Sequence, residues 1–535
     1  MAFSNNLCLL NSMDNAPTQK YHFILLAITG MGFLSTAYNI FCINPVSKLL
    51  GRLYYYNPAT KSPGQLPVHI NNIVTGVALS GTLGGQLFFG WLGDKDKIGR
   101  KRSFQITLIL TFVCAICSGL GSGASGSTIG VLCFFRFWLG FGVGGTYPLC
   151  ATIMAEYANR KTRGAFIGAV FAMQGVGIIL AGLVPMVLSK IFLSHFEAKH
   201  FNQEPNLSTR PQGKYLWRLV LMIGALPAAL TYFLLRKMPE TARYRAVVEG
   251  NLTAAVSDMR RVLRNVESRQ ETKKLAKFRA VNSYGLLSIE FFERHGIHLF
   301  GTMSTWYLLD MAFYSQNLTQ KDLFSAIGFT KKPDHVNALE EVYEQSRAMF
   351  LVAFFGTFPG YLCTVFLVEK LGRFVIQIIG FLLMSTFMLI MGVKYDDFKA
   401  HKPVLFALLY GLTFFFANFG PNATTFIIPA ELFPTRLRAT CHGLSAAAGK
   451  LGAVVGTFVV QTSTSNYEDD TGDRTEHPGD RTKHSLMVLA FTNMLGFCCT
   501  FLVTETKELS LEEISGEDGG QNEVDLTACP LIVPE

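Results

Sequence analysis

Runs of about twenty apolar residues recur twelve times along this chain, near positions 21–43, 73–92, 103–122, 128–150, 164–189, 216–236, 297–315, 346–367, 374–394, 403–428, 443–462 and 485–503. Wound as a helix, a run of that length matches the hydrocarbon thickness of a bilayer. Lipid offers no partner to a backbone N–H or C=O, so such runs must satisfy their hydrogen bonds internally, as helices. Only 16% of the 535 residues are charged, against roughly 25% in soluble domains, and the deficit is concentrated in these runs. The expectation is an all-α membrane protein with twelve transmembrane helices. The first run is too long and too poorly flanked for a cleaved signal peptide, and reads as a true span.

The loops set the topology. The even-numbered connections carry the dense bases: Lys95, Lys97, Arg100, Lys101 and Arg102 after the second span, Arg160, Lys161 and Arg163 after the fourth, Lys370 and Arg373 after the eighth, Arg436 and Arg438 after the tenth. The loop 237–296 carries twelve Lys/Arg against seven Asp/Glu. Bases favour the cytoplasmic side, which predicts both termini inside the cell. The net charge of +9 is therefore topogenic and does not indicate a nucleic-acid partner. The organisation read from this pattern is a cytoplasmic N-terminus (1–20), a six-helix half (21–236), a cytoplasmic central loop (237–296), a second six-helix half (297–504) and an acidic cytoplasmic tail (505–535). Asn206-Leu-Ser and Asn317-Leu-Thr fall on the predicted outer face as glycosylation candidates. Of the eleven cysteines most lie inside spans, so the CxxC of Cys114 and Cys117 reads as packing rather than a redox or metal site. No cofactor and no metal are expected.

The two halves repeat. Asp94, Gly99 and Arg100 after the second span are matched by Glu369, Gly372 and Arg373 after the eighth; Glu156 with Arg160 and Arg163 by Glu431 with Arg436 and Arg438; Pro239-Glu-Thr by Glu505-Thr-Lys507. Unrelated charge clusters at helix ends would not give three pairs in the same order. Transporters are commonly built from such repeats, with the substrate site at midplane between them. The knots themselves suit interhelical ion pairs that hold one face closed: Asp94 with Arg100, Glu156 with Arg160 and Arg163, and Glu431 with Arg436 and Arg438. The plain alternative is that they only orient the chain. Asp94-Lys-Asp-Lys-Ile-Gly99 is an extended turn, so Asp96 competes with Asp94 as the working acid.

Polar residues at membrane depth are expensive and mark pathways or sites. Trp306, Asp310 and Tyr314 recur at intervals of four and share one helical face. Asp310 is the carboxylate found deep in a span, and Lys450 and Arg136 are its possible partners. Gln174 and Asn422 read on their own as interhelical hydrogen bonds. One stretch, Arg136 to Gln174, combines a buried arginine, a Gly-Gly-Thr-Tyr-Pro element, a basic turn and a lone amide.

The strings GTYPLCATIMAEYANRKTRGAF, TWYLLDMAFYSQNLTQKDLF and FGPNATTFIIPAELFPTRLRATCHG resemble the plant and fungal phosphate:proton symporters of the major facilitator superfamily, from about residue 20 to 518. The resemblance implies a twelve-helix rocker carrying inorganic phosphate across the plasma membrane together with protons. It implies phosphate contacts at Tyr147, Gln174, Trp306, Asp310, Tyr314 and Asn422, with Lys450 as an addition. Hydroxyls, amides and an indole N–H satisfy oxyanion oxygens without a full charge. The likeness also exposes a departure. Where the family pattern has three carboxylates around the fourth-span arginine, this chain has Thr36, Asn39 and Thr146, while Arg136 remains. Neutral side chains carry no proton near pH 7, so proton coupling would rest on Asp310 or on phosphate itself. Three readings stay open: a symporter, an uncoupled phosphate facilitator, and a receptor that binds phosphate without turnover. The segments between spans hold no nucleophile–base pair or nucleotide loop, which argues against an enzyme. The tail beyond Glu505, with Glu508, Glu512, Glu513, Glu517 and Asp518, is expected to be disordered. Its Ser515 stands before acids and is a phosphorylation candidate for a kinase or trafficking partner.

Overall fold

The computed structural model describes residues 8–58, 63–121, 123, 125–196, 198–262, 272–464 and 478–517. Each apolar run lies in a helix: helix 1 (Lys20–Phe41), helix 2 (Val68–Gly93), helix 3 (Gly99–Ser118), helix 4 (Ser125–Tyr157), helix 5 (Arg163–His195), helix 6 (Gly213–Leu235), helix 7 (Ile289–Ile327), helix 8 (Ala338–Leu371), helix 9 (Arg373–Val393), helix 10 (Pro403–Leu432), helix 11 (Arg438–Thr464) and helix 12 (Pro478–Thr500). Large apolar side chains stay exposed on many of them, such as Leu226, Phe355, Phe366 and Phe491. Soluble monomers rarely leave so much apolar surface in water; lipid accepts it. The protein is a multi-pass membrane protein.

Within the first half, helix 2 packs on helix 4, helix 3 on helix 4 and helix 1 on helix 5; within the second, helix 7 packs on helix 11 and helix 9 on helix 12. The halves meet along two seams, helix 2 against helix 11 and helix 5 against helix 8. Close backbone approach makes the first seam. A Cβ on Gly90 would stand 2.7 Å from the Ala439 carbonyl oxygen, and one on Gly443 2.5 Å from that of Gln86. In lipid, association relies on van der Waals packing, which small residues maximise.

Two helices are irregular where it matters. Helix 8 carries a π-helical turn over Ala353–Thr357, and helix 10 breaks at Phe419–Gly420 before restarting at Pro421. Proline has no N–H to give to the preceding turn, so the break falls there.

Several expectations are corrected. The tail is ordered as far as residue 517: Leu511, Glu512, Ser515 and Glu517 are buried, and a short helix, Leu511–Ile514, starts at a Ser510–Glu513 capping box. Buried arginines supply the reason, since they give the acids partners that a solvated tail lacks. Asp518 and the rest of the acidic tail lie outside the described residues. Asn317 is not a surface sequon. It is buried within helix 7, its amide donating to the Phe313 carbonyl and its own carbonyl accepting from Asn44, because helix 7 runs on past its apolar run. Asn206 is exposed. The central loop forms helices Leu252–Val262 and Thr272–Val281; residues 263–271 between them lie outside the described residues.

Candidate substrate site and its closing clasps

Helices 4, 5, 7, 8, 10 and 11 converge on one buried polar cluster. Lys450 Nζ donates to Asp310 Oδ2 at 2.6 Å, and the Trp306 indole also bonds the Asp310 carboxylate. The ammonium lies 4.9 Å from the Tyr147 ring centre and 4.3 Å from that of Tyr314. The two tyrosine hydroxyls are 3.3 Å apart. Gln174 Oε1 accepts from the Tyr361 hydroxyl at 3.3 Å, and Asn422 Nδ2 donates to the same hydroxyl at 2.9 Å. All of these side chains are at least 98% buried. Of the two cations considered for Asp310, the structure chooses Lys450. A buried pair of this kind holds its charges against a large desolvation cost only by good geometry and further hydrogen bonds.

Aromatic rings wrap the cluster. Phe33 meets Tyr147 edge-on at 5.1 Å, Phe171 stacks on Phe426 at 4.4 Å, and Phe41 stacks on Tyr314 at 5.7 Å. Trp306 is pressed against Gly449, where a Cβ would stand 2.4 Å from the indole. Tyr361 and Asn418 belong to the cluster and were not found from the sequence. Each is one of several polar residues in an apolar run, and the π turn of helix 8 shifts the helical phase just before Tyr361.

Arg136 lies apart from this cluster. Its guanidinium bonds the carbonyls of Asn39 (3.3 Å) and Ile40 (3.5 Å) and, among the described residues, meets no carboxylate. Asn39 in turn donates to the Ser35 and Gly224 carbonyls at 2.9 and 3.0 Å. Thr36 and Thr146 are buried. Of the three positions, Asn39 ties helix 1 to helix 6 through the Gly224 carbonyl and accepts Arg136 of helix 4 on its own carbonyl.

Both ends of the molecule are closed. On the face that carries the described ends of the chain, Arg100 bonds Asp94 and Glu156, each at 3.1 Å, and the Thr435 carbonyl of the other half at 2.7 Å. Arg438 of the second half stands 3.6 Å from Glu156. The second half repeats the device: Arg373 bonds Glu369 at 2.7 Å and Glu431 at 2.8 Å. The Pro239-Glu-Thr and Thr504-Glu-Thr segments are equivalent in detail. Thr241 caps Glu156 and Thr506 caps Glu431, while Glu240 and Glu505 accept the first N–H groups of helices 3 and 9.

These contacts correct the expected pairings. Glu156 pairs with Arg100 and Arg438, not with Arg160 or Arg163. Arg160 is half-exposed, and among the described residues its amide bonds the Asp14 carbonyl. Arg163 bonds the Asp14 carboxylate. Glu431 pairs with Arg373, while Arg436 donates to the Asn282 carbonyl. Each turn aims its arginine across to the next helix, so neighbours in sequence are not neighbours in space. Asp94 is the working acid of the extended turn; besides Arg100 it accepts from the Thr440 amide and hydroxyl, and Asp96 is exposed. The extra length is closed by Gly99 at φ +76°, a conformation that favours glycine. Ser515 is buried against Glu517 at 2.9 Å, so it is not accessible to a kinase in this state. Arg243 binds Asp14 at 2.7 Å and also Glu512, which ties the tail to the N-terminal segment.

On the opposite face, Lys48 bonds Asp322 at 2.6 Å, and Arg52 bonds Glu341 at 2.7 Å and the Pro333 carbonyl at 2.6 Å. These ties also cross between halves.

Burial pushes Asp94 up to about 6 and Glu240 up to about 7, the larger effect opposed by Arg100 and by backbone hydrogen bonds. The folded protein therefore holds these protons more tightly than the unfolded chain does. The stability they contribute is complete below about pH 4 and is lost as pH rises through 6 to 7. Melting of the purified protein in detergent should shift upward from pH 8 to pH 5, and Glu240→Gln should flatten that dependence.

The "Sugar (and other) transporter" family description matches residues 24–517. The chain belongs to that family. It is a transporter and not an enzyme. It is 62% identical over 526 residues to the low affinity inorganic phosphate transporter 4 of Petunia hybrida, covering 98% of this chain and 97% of the relative. It is 61% identical over 523 residues to the protein of that name in Medicago truncatula, covering 98% and 96%. The fold is that of the major facilitator superfamily. The proton:xylose symporter XylE superposes with a TM-score of 0.67 at 19% identity, over 92% of this chain and 98% of the other. The partially occluded inward open form of XylE from E. coli gives 0.65 at 18%, over 91% and 99%.

Proposed function

We propose that this transporter imports inorganic phosphate across the plasma membrane as a proton symporter, with both termini cytoplasmic. The observation that carries the reading is the closed cluster of Asp310 and Lys450 with Tyr147, Tyr314, Trp306, Gln174 and Asn422. It offers one net-neutral charge pair, hydroxyls and amides, which suits an oxyanion that is both donor and acceptor. Near full-length relatives named as phosphate transporters support it. In this reading 21–236 and 297–504 rock about the cluster, with 1–20, 237–296 and 505–535 on the cytoplasmic side. The clasps of Arg100, Glu156, Arg438, Arg373 and Glu431 close the inner face. Asp310 carries the proton, and Asn206 is the glycan acceptor on the outer face.

A second reading is favoured by a specific observation. Asn39 and Arg136 are spent on backbone carbonyls, so the route that would run through Thr36, Asn39 and Thr146 has no proton to pass, and phosphate would move by uncoupled facilitation. Labelled phosphate uptake into proteoliposomes, with and without an inward proton gradient, separates the two. Uptake that rises with the gradient supports symport; uptake indifferent to it supports facilitation; binding without uptake would overturn both.

A further inference from the structure

The hydrogen-bond polarity of the cluster can be read outward from a backbone carbonyl. The Phe414 carbonyl can only accept, and it takes a proton from Asn418 Nδ2 at 2.6 Å. Asn418 must therefore turn its Oδ1 toward Asn422, whose Nδ2 donates to it at 2.7 Å. The second Nδ2 proton of Asn422 goes to the Tyr361 hydroxyl oxygen at 2.9 Å. Tyr361, having accepted, gives its own proton to Gln174 Oε1 at 3.3 Å. A further tie holds the start of this relay: the Thr364 hydroxyl donates to the Asn418 carbonyl at 2.8 Å. Every member is at least 98% buried, where an unmatched donor or acceptor is costly. The amides of Asn422 and Gln174 are thus not free to choose their faces. Asn422 is left with its carbonyl oxygen for a substrate, while Gln174 turns its N–H group toward the Tyr314 hydroxyl.

We propose that Tyr361 and Asn418 are positioning residues that hold Asn422 as a hydrogen-bond acceptor, so that the site selects an oxyanion bearing a proton over one that bears none. The proposal rests on phosphate being the substrate. Phosphate near neutral pH, monobasic or dibasic, has at least one P–OH to donate to Asn422 Oδ1; sulfate has only bare oxygens, which would face that carbonyl oxygen without a proton between them. Asp310 Oδ2 is already bonded by Lys450 in the closed state, and the discrimination is assigned to Asn422. A site built to bond a substrate hydroxyl rejects the analogue lacking it far more strongly than a shape filter does.

The test is labelled phosphate uptake in proteoliposomes with sulfate as competitor, for the parent protein, Tyr361→Phe and Asn418→Ala at matched membrane abundance. Tyr361→Phe keeps the ring that meets Phe171 edge-on at 5.7 Å and loses only the hydroxyl. The parent should ignore sulfate. In both variants sulfate should inhibit at concentrations lower by about tenfold or more. Active variants that exclude sulfate as well as the parent does would overturn the proposal while leaving phosphate transport intact. Should neither variant reach the membrane, a parent that sulfate inhibits at concentrations comparable to its phosphate KM would overturn it just as well. A parent that takes up no phosphate would instead overturn the functional reading on which the proposal stands.

Discussion

Asp310→Asn is expected to lower phosphate uptake by about a hundredfold or more, and to destabilise the protein at the same time. The substitution strands the Lys450 ammonium, 99% buried, without its counter-charge. Breaking a buried pair by removing one partner costs about 3–5 kcal/mol. The Tyr147 and Tyr314 rings beside the ammonium recover only part of this, since a cation–π contact contributes about 0.5–2 kcal/mol. A loss of about 3 kcal/mol in the binding-competent state corresponds to the stated hundredfold. The double variant Asp310→Asn/Lys450→Gln separates structure from function. Neutralising both members removes the stranded charge, so the melting temperature should return toward that of the parent. Uptake should not return, because the site then lacks both the cation for the anionic substrate and the carboxylate for the proton. Recovery of uptake together with stability would reduce the pair to a packing element.

Glu156→Gln should have the larger effect of the two symmetry-related clasp substitutions. Glu156 is shared by Arg100 and Arg438, which come from opposite halves, and accepts from Thr241 as well. Without its charge, Arg100 keeps Asp94, but Arg438 retains only the Phe433 carbonyl as a hydrogen-bonding acceptor, at 3.1 Å. Glu431→Gln is milder: Arg373 keeps Glu369 at 2.7 Å, and both lie in one half. The face carrying the chain ends should therefore open more often in Glu156→Gln than in Glu431→Gln. Cys441 is a built-in reporter, buried on helix 11 beside Asp94's partners Ala439 and Thr440. Peptide-resolved maleimide labelling of Cys441 should rise by about tenfold or more in Glu156→Gln, as expected when ~1.4 kcal/mol or more of a buried pair is lost. Equal labelling in the two variants would mean that Glu156 does not bridge the halves.

The amino-acid sequence determined the helices, their number and the equivalence of the halves. Those follow from local rules: apolar length sets a span, loop bases set its direction, and repeated turn motifs mark repeated folds. It also determined which residues of helix 7 face the site, because Trp306, Asp310 and Tyr314 are spaced by helical turns within one uninterrupted helix. The tertiary structure decided everything that depends on partners from distant segments. Lys450 rather than Arg136 answers Asp310; Glu156 reaches Arg438 rather than Arg163; the tail finds Arg243 and so is ordered. Ser515 and Asn317 look like surface motifs in one dimension and are buried in three. Tyr361 and Asn418 escaped detection for a related reason: a π turn in helix 8 and the break in helix 10 alter the register from which a face would be projected. Spacing along a helix is a property of the backbone and can be read residue by residue. Which charge meets which, and which amide end faces a substrate, is settled only when separate helices close around a volume from which water is excluded and every buried polar group must find its match.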